Sequence, residues 1–347
     1  MWKCLGIMSG SSLDGIDFCL AEMDILGNFS ILKARTVPLP EKIYSLLRNL
    51  NTGNYFRANV IYSGFLGKTI SDFLQDTGII PNIIAIHGHT FLHNPAGGYS
   101  VQLGDGEIIK TFVPSTVITN FRTRDIAYKG QGAPLVPVGE YFLFPGHKLF
   151  LNLGGIANFS YIFPEKQIFK ASDICPANQI LNKLAREISP EYKYDPGGSL
   201  ARKGKIIPSL LNKMNDWDFY KQPLPKSLSN QQVADFYDKF LKIPENPEDK
   251  LRTFTEHIAG KIADTLNKFP EKTVFTTGGG AYNSFLIERI NSRLNDKKIF
   301  LPEKKIIDFK EALIFAFLGL RKHLNLNTVF SSATGSKKSS SGGSVHY

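Results

Sequence analysis

Twice in this chain a short apolar run enters a glycine turn and leaves it as a second apolar run. Residues 6–17 read GIMSGSSLDGID, with MWKCL before and FCLAEM after. Residues 148–163 read KLFLNLGGIANFSYIF. A tight polar turn between two apolar runs predicts a β-hairpin in each place. Two like units in one chain predict a duplicated α/β architecture with a cleft between its halves. At 347 residues the chain has length for about two domains. The expected boundary lies near residue 130, giving an N-terminal domain over 1–130 and a C-terminal one over 131–324. The last stretch, 325–347, is expected to pack back on the first domain.

The rest of the chain alternates in the same way. Phe56, Val60, Phe65, Leu66, Ile70, Phe73 and Leu74 recur at helical spacing, predicting a helix over 55–77. IIAIHG at 83–88 and STVITNF at 115–121 read as buried strands. A helix is expected over 176–188, with Pro176 in its first turn. Another is expected over 247–269. KTVFTTGGG followed by AYNSFLIERI reads as strand, glycine turn, helix. Residues 308–326 are apolar nearly all round, which predicts a buried helix. The tail TGSKKSSSGGSVHY is polar and glycine-rich and reads as a loop or frayed end.

Glycines at turns let a ligand approach the backbone, and successive N–H groups there form concave anion sites. The first turn offers Gly10 and Gly15, the hydroxyls of Ser11 and Ser12, and the carboxylate of Asp14. Hydroxyls and amides suit phosphate oxygens, and a nearby carboxylate suits Mg²⁺, held through water. The second turn, Gly154-Gly155 with Asn158, could grip a phosphate from another side. The third, Gly278-Gly279-Gly280 with Asn283, ends a strand and opens a helix, where a nucleotide could lie on bare backbone. The plain alternative is that all three are only tight turns.

Two motifs point elsewhere and are weaker. GKT at 67–69 looks like the end of a Walker A loop, but Tyr62 occupies the required glycine position and the segment is amphipathic. HGHTFLH places His87, His89 and His93 close together, without a Cys or carboxylate nearby to complete a metal site. A polar strand end lining a cleft is the simpler reading. Lys and Arg exceed Asp and Glu by 41 to 31, a net charge of +10, which fits anionic small molecules as well as nucleic acid. The basic residues are scattered, so no nucleic-acid partner is expected. No apolar run is long enough to span a bilayer and no signal peptide is evident, so no membrane partner is expected. The odd count of three cysteines lacks metal-site spacing and fits reduced thiols in the cytoplasm.

Together these motifs resemble the anhydro-N-acetylmuramic acid kinases, within the actin, Hsp70 and sugar-kinase superfamily. The resemblance covers nearly the whole chain. GIMSGSSLDGID is similar to the family's first phosphate loop, NLGGIANFS to its second and TGGGAYN to its adenosine loop. IHGHT, QLGD at 102–105, NFRTRDIAYKGQGAPLVP at 120–137 and EALIFAF from Glu311 match further family segments. The resemblance implies a two-domain actin-like ATPase (ribonuclease H-like) α/β fold with a deep interdomain cleft. It implies ATP and Mg²⁺ as cofactors, with Asp14 near the metal, and a small anhydro-sugar as partner. It leaves room for a homodimer. The implied reaction opens 1,6-anhydro-N-acetylmuramic acid with water and phosphorylates the freed O6, in the recycling of bacterial cell-wall fragments. It puts the general base at Asp173, opening DICPAN, and substrate contacts at His87, His89, Thr90, Arg122, Arg124 and Glu311.

From the residues alone, Asp173 could instead cap the 176–188 helix, and Glu311 could be a charge at a helix start. Three positions depart from the family pattern. His89 stands where Gln is usual, DICPAN replaces Asp-Thr-Gly-Pro-Gly-Asn with Cys175 inside it, and Gly197 stands where aspartate is frequent. These departures keep alternatives open: a kinase of another amino sugar or hexose, or a non-catalytic actin-like nucleotide switch.

Overall fold

In the first strand, CLGIM, the large residues alternate with a glycine, and that alternation positions much of what surrounds it. A computed structural model describes residues 1–10, 13, 15–163 and 168–347. Its strands, in chain order, are β1 (Trp2–Ser9), β2 (Ile16–Met23), β3 (Phe29–Val37), β4 (Ile83–Ile86), β5 (His89–Asn94), β6 (Tyr99–Leu103) and β7 (Thr116–Thr119). They continue as β8 (Leu149–Leu153), β9 (Ile156–Phe163), β10 (Ile168–Pro176), β11 (Thr273–Thr277), β12 (Lys298–Phe300) and β13 (Ser344–His346).

The chain divides into two units. Unit 1 comprises Met1–Gly146, Phe163–Phe169 and Phe309–Tyr347, and unit 2 comprises His147–Ile162 and Lys170–Asp308. The sheet of unit 1 runs β13-β7-β4-β1-β2-β3, and that of unit 2 runs β10-β9-β8-β11-β12. In unit 1, β1 pairs antiparallel with β2 and parallel with β4, and β4 pairs parallel with β7. In unit 2, β8 pairs antiparallel with β9 and parallel with β11, and β11 pairs parallel with β12. Counted within its own sheet, each set of strands therefore contains the order 3-2-1-4-5, the ribonuclease H-like order. Its presence twice matches the α/β class expected from the two strand–glycine–strand repeats. Among the described residues no helix is long and apolar enough to cross a membrane.

Side chains alternate across β1. Leu5 and Ile7 join Ile84, Ile86 and Phe18 in a buried cluster with Tyr62, Leu66, Ile70 and Phe73 of the helix Tyr55–Thr77. The GKT triplet lies inside that helix and forms no loop. Gly6 faces the other way. A methyl group on it would lie 1.8 Å from the carbonyl oxygen of Ala312 and 2.5 Å from the nitrogen of Ala316. Strand backbone and helix backbone thus meet with no side chain between them. One turn on, a methyl on Gly319 would lie 2.5 Å from Cβ of Ala85. Small residues on both elements let the helix Lys304–His323 lie directly on the centre of the sheet.

The unit boundary falls at Gly146, whereas the sequence reading put it at 130. The helix Val136–Leu143 stays with unit 1 because Gly139 packs on Ile314 and buried Glu140 pairs with buried Lys310 at 2.7 Å. The return to unit 1 begins at Phe309, not 325, for the same reason. The tail is not a frayed end. Ser344–His346 pairs antiparallel with β7, and the His346 ring bonds Thr119 at 3.0 Å. The expected helix at 176–188 starts later, at Asn178, because Pro176 still belongs to β10.

The packing at Gly6 makes a sharp expectation. Gly6→Ala should cost about 1–3 kcal/mol or more, since backbone atoms on both sides cannot move aside. Gly64→Ala, in the interior of the helix Tyr55–Thr77 with nothing within 4 Å of the new methyl, should gain about 0.5–1 kcal/mol. Urea unfolding midpoints measure both, and shifts of the same sign would contradict this packing.

Candidate active site

Parallel strands end on one edge of a sheet, and loops leaving their carboxyl ends gather there. In unit 1 these are the ends of β1, β4 and β7. They bring Ser9 and Gly10, IHGHT and NFRTRD together from three distant parts of the chain. The His87 N–H donates to the Ile7 carbonyl at 3.0 Å. Of the first loop, Ser11, Ser12 and Asp14 lie outside the described residues. Gly10 follows β1 directly. Leu13 holds a left-handed φ of 57°, and a methyl on Gly15 would lie 2.5 Å from Thr36 Cγ2. Asp17, at the far side of the loop, accepts from the Thr36 hydroxyl at 2.6 Å.

His87 is buried, and both ring nitrogens are engaged. Arg122 donates from one guanidinium nitrogen to His87 Nε2 at 2.6 Å and from another to the Gly132 carbonyl at 2.5 Å. A guanidinium cannot accept a hydrogen bond, so Nε2 is the acceptor and Nδ1 carries the hydrogen. That Nδ1–H donates to the Gly88 carbonyl at 2.7 Å. Burial, and then the Arg122 charge, push the His87 pKa down to about 3. Burial lowers Arg122 itself to about 10, with Glu311 and Asp125 acting the other way. His89, also buried, leaves Nδ1 without a partner and tilts 6.4 Å from the Tyr62 ring. Burial lowers its pKa as well. Thr90 is half-buried opposite Gln102 in the β5–β6 pair.

Arg124 does not join this group. It is exposed and donates to the Ser341 carbonyl at 2.7 Å, tying down the C-terminal segment. Glu311 is the eighth residue of its helix, whose first turn has no acidic residue, so it is not a charge at a helix start. Burial raises its carboxyl pKa, against the pull of Lys310 and Arg122. Sequence reasoning passed over Asp125, which is fully buried and accepts from the Gly132 N–H and the Thr334 hydroxyl, each at 2.7 Å. It also passed over the polar wall of a cavity of about 220 Å³ lined by His87, Gln102, Thr119, Asn120 and Thr123 among others. Gln102, Asn120 and Thr123 stood inside recognised segments. Their polarity next to strand ends was the available signal.

In unit 2 the same rule joins the ends of β8 and β11. Gly154 and Gly155 form the two-residue turn between β8 and β9, and Asn158 sits half-buried opposite Asn152. The turn's carbonyls accept from Ala177, Asn178 and Gln179, so they hold the start of the helix Asn178–Ile188. Gly278 has φ 87°, and a methyl there would lie 2.5 Å from Asn152 Oδ1. A methyl on Gly280 would lie 2.8 Å from Leu153 Cβ. These two glycines let the third turn close on β8. Gly279 is the open one, with its nearest neighbour at 3.9 Å. Asn283 caps the helix Ser284–Asn291 by accepting from the Leu286 N–H at 2.9 Å. Gly197 holds φ 62°, in the left-handed region that glycine enters without steric cost.

Asp173 lies within β10, and the residue before the following helix is Ala177, so Asp173 is not that helix's cap. Its Oδ2 accepts from the Leu228 N–H at 2.8 Å. Burial raises its pKa, partly offset by the Leu228 N–H and the Ser227 hydroxyl. Cys175 is fully buried, and burial pushes its thiol well up. Buried His257 bonds Tyr220 at 2.8 Å and Asn215 at 2.9 Å, and its pKa falls to about 3.

The buried histidines set an acid sensitivity. A native state that keeps an imidazole neutral binds fewer protons than the unfolded chain below the ordinary imidazole value of about 6.5. Stability should therefore fall as pH drops from about 6.5 towards 3, by up to roughly 1.4 kcal/mol per pH unit for each of His87 and His257. Denaturant midpoints between pH 7.5 and 5 measure this, and His87→Gln should flatten the slope. An unchanged slope in that variant would mean that His87 is not held neutral.

A family model described as Anhydro-N-acetylmuramic acid kinase matches residues 2–347. A protein of that name from Nitrosomonas europaea is 33% identical over 334 residues, 90% of this chain and 91% of that one. Another, from Francisella tularensis subsp. novicida, is 33% identical over 369 residues, 96% of each chain. Among solved structures, an activator of 2-hydroxyisocaproyl-CoA dehydratase from Clostridium difficile with bound ADPNP aligns at TM-score 0.49 and 13% identity, covering 92% of this chain and 95% of that one. From its matched length and these relatives, the chain belongs to the anhydro-N-acetylmuramic acid kinase family.

Proposed function

We propose that this protein is an ATP-dependent kinase that hydrolytically opens 1,6-anhydro-N-acetylmuramic acid and phosphorylates its O6. Family membership supplies the substrate class. The observation that carries the mechanism is Asp173: a strand-borne carboxylate, burial-raised, with Oδ2 fixed at 2.8 Å by a backbone N–H. A general base works best with a pKa near the working pH and a fixed orientation.

Water attacks the anomeric carbon and gives its proton to Asp173. The bond from that carbon to O6 breaks. O6 bonds to the γ-phosphorus, and the bond from that phosphorus to the β,γ-bridging oxygen breaks to release ADP. Glycoside hydrolysis ordinarily needs a second carboxyl group to protonate the leaving oxygen. Here phosphorus captures that oxygen, so one base is the minimum. Mg²⁺ enters with ATP as part of the substrate, and Asp14 is the carboxylate we assign to its hydration shell. Gly10, Ser11, Ser12 and Gly15 form the first phosphate grip, and Gly154, Gly155 and Asn158 the second. Open Gly279, between Gly278 and Gly280, is the adenosine-side backbone, and Asn283 holds the helix behind it.

In unit 1 the sugar side is His87, His89, Thr90, Arg122 and Glu311, with Arg122 the cation for the lactyl carboxylate. Arg124 serves the C-terminal segment instead. On this reading the reaction belongs to cytoplasmic recycling of cell-wall fragments.

Asp173→Asn should lower kcat by roughly a hundred- to ten-thousand-fold, about 3–5 kcal/mol of barrier. The amide oxygen still accepts from Leu228, so sugar and nucleotide binding and the melting temperature should stay near wild type. Turnover within a few-fold of wild type would remove Asp173 from the mechanism. In heavy-oxygen water, the wild-type product should carry one solvent oxygen at the anomeric carbon. Phosphorylation of open-ring sugar without solvent oxygen would instead make this an ordinary sugar kinase.

A further inference from the structure

Asp173 is held by a segment from elsewhere in unit 2. Residues 226–228 lie outside helix and strand and begin 54 residues beyond Ser172. Buried Ser172 fastens them. Its hydroxyl donates to the Lys226 carbonyl at 2.9 Å, and its oxygen accepts from the Lys226 N–H at 2.9 Å. The Asp173 N–H donates to the same Lys226 carbonyl at 3.0 Å. Two residues on, the Leu228 N–H reaches Asp173 Oδ2 at 2.8 Å, and the neighbouring Ser227 hydroxyl joins it in drawing the carboxyl pKa down against burial. The Lys226 ammonium turns away, donating to the Phe219 carbonyl at 2.8 Å and lying 4.4 Å from the Phe219 ring centre. Lys226 therefore contributes its backbone to this arrangement rather than a counter-charge.

We propose that Ser172 and the strap 226–228 are a positioning device that fixes the orientation of the Asp173 carboxylate and keeps it ionised. This rests on the reading of Asp173 as the general base.

The physical case lies in the surroundings. Cys175 on the same strand is held neutral by burial, as are Tyr220 and His257, which lies on the helix Pro247–Leu266. Lys226 and Lys261 complete the titratable groups gathered around Cys175, and burial weakens both ammonium groups. The groups that draw the Asp173 carboxyl towards ionisation are the two strap donors. A hydrogen bond to the charged form favours that form. Without the strap the base would hold its proton to a higher pH and could not take one from water. A buried serine at 172 also needs a reason, since an unpaired hydroxyl is costly to bury. Its bonds to Lys226 supply one.

Ser227→Ala and Ser172→Ala test this. Each should move the acid limb of the kcat–pH profile up by roughly half to one pH unit, the worth of one hydrogen bond. Below the limb, kcat at a given pH should fall about three- to ten-fold, with KM for ATP and sugar unchanged, and rates should converge above the limb. Ser227→Thr should restore the wild-type profile. Ser227 is exposed, so its alanine variant carries the test even if Ser172→Ala folds poorly. A wild-type acid limb in Ser227→Ala would overturn the proposal. Asp173→Asn separates the two failures. If it abolishes turnover while the serine profiles do not move, only the strap fails. If it turns over normally, the base reading and the strap fall together.

Discussion

The contact between Gly6 and the backbone of Ala312 and Ala316 is the constraint on which unit 1 depends. A side chain at Gly6 would lift the helix Lys304–His323 off the middle of the sheet by the width of at least a methyl group. Residues 310 and 311 adjoin that contact point. Lys310 is buried beside Glu140, and Glu311 sits within the electrostatic reach of Arg122. Seating the helix flush therefore also seats a buried ion pair and a carboxylate beside the strand-end loops. An unpaired buried charge is expensive, and this pair leaves neither partner alone. Packing at one glycine is in this sense an electrostatic device as well as a steric one.

Both units carry a glycine-containing turn after the first strand of their sheet. Their turns follow strands whose neighbours are parallel, so the turns collect on one edge of each sheet by topology. Glycine then does two separate jobs in unit 2. Gly278 and Gly280 let the chain pack against Asn152 and Leu153, while Gly279 keeps a bare face. A run of three glycines looks uniform as sequence, yet only one of its members is open. In unit 1 the strand-end chemistry is carried more by side chains. His87 is locked as one tautomer by Arg122 and Gly88, which leaves it no free nitrogen for a metal.

The parts of this molecule legible in the sequence were those that local rules govern. The strand–glycine–strand repeats announced the duplicated sheets, because alternation and turn chemistry act over a few residues. The parts that were not legible depend on distant partners. Nothing near Ser344 signals a strand, since β13 is a strand only because β7 offers it an edge. Pro176 suits a helix start, but pairing within the sheet extends β10 through it. The boundary at 130 missed the helix Val136–Leu143 because its ion pair is with a residue 170 positions away. The strap over Asp173 left no trace for the same reason. Arg122 and Arg124 looked like a pair on paper, and the helix Thr123–Ala127 sends them to different partners.

Three buried or half-buried carboxylates differ in how far the protein satisfies them. Asp125 gives one oxygen to the Gly132 N–H and the other to the Thr334 hydroxyl, both at 2.7 Å. Asp195 gives its two oxygens to the N–H groups of Leu200 and Ala201, at 2.8 and 3.0 Å. In both, the chain uses the carboxylate to close a turn, and each oxygen is fixed by the protein. Asp173 differs. Among the described residues a backbone N–H, that of Leu228, fixes Oδ2, and the neighbouring Ser227 is exposed with a hydroxyl that can rotate. A carboxylate offers about four lone-pair directions, so this one keeps capacity to receive a proton from outside the chain. Burial alone would make it a stronger base and favour its protonated form. Burial draws its pKa up while the strap draws it down, and the general-base role we propose for Asp173 needs both: a carboxylate basic enough to take a proton and open enough to receive it.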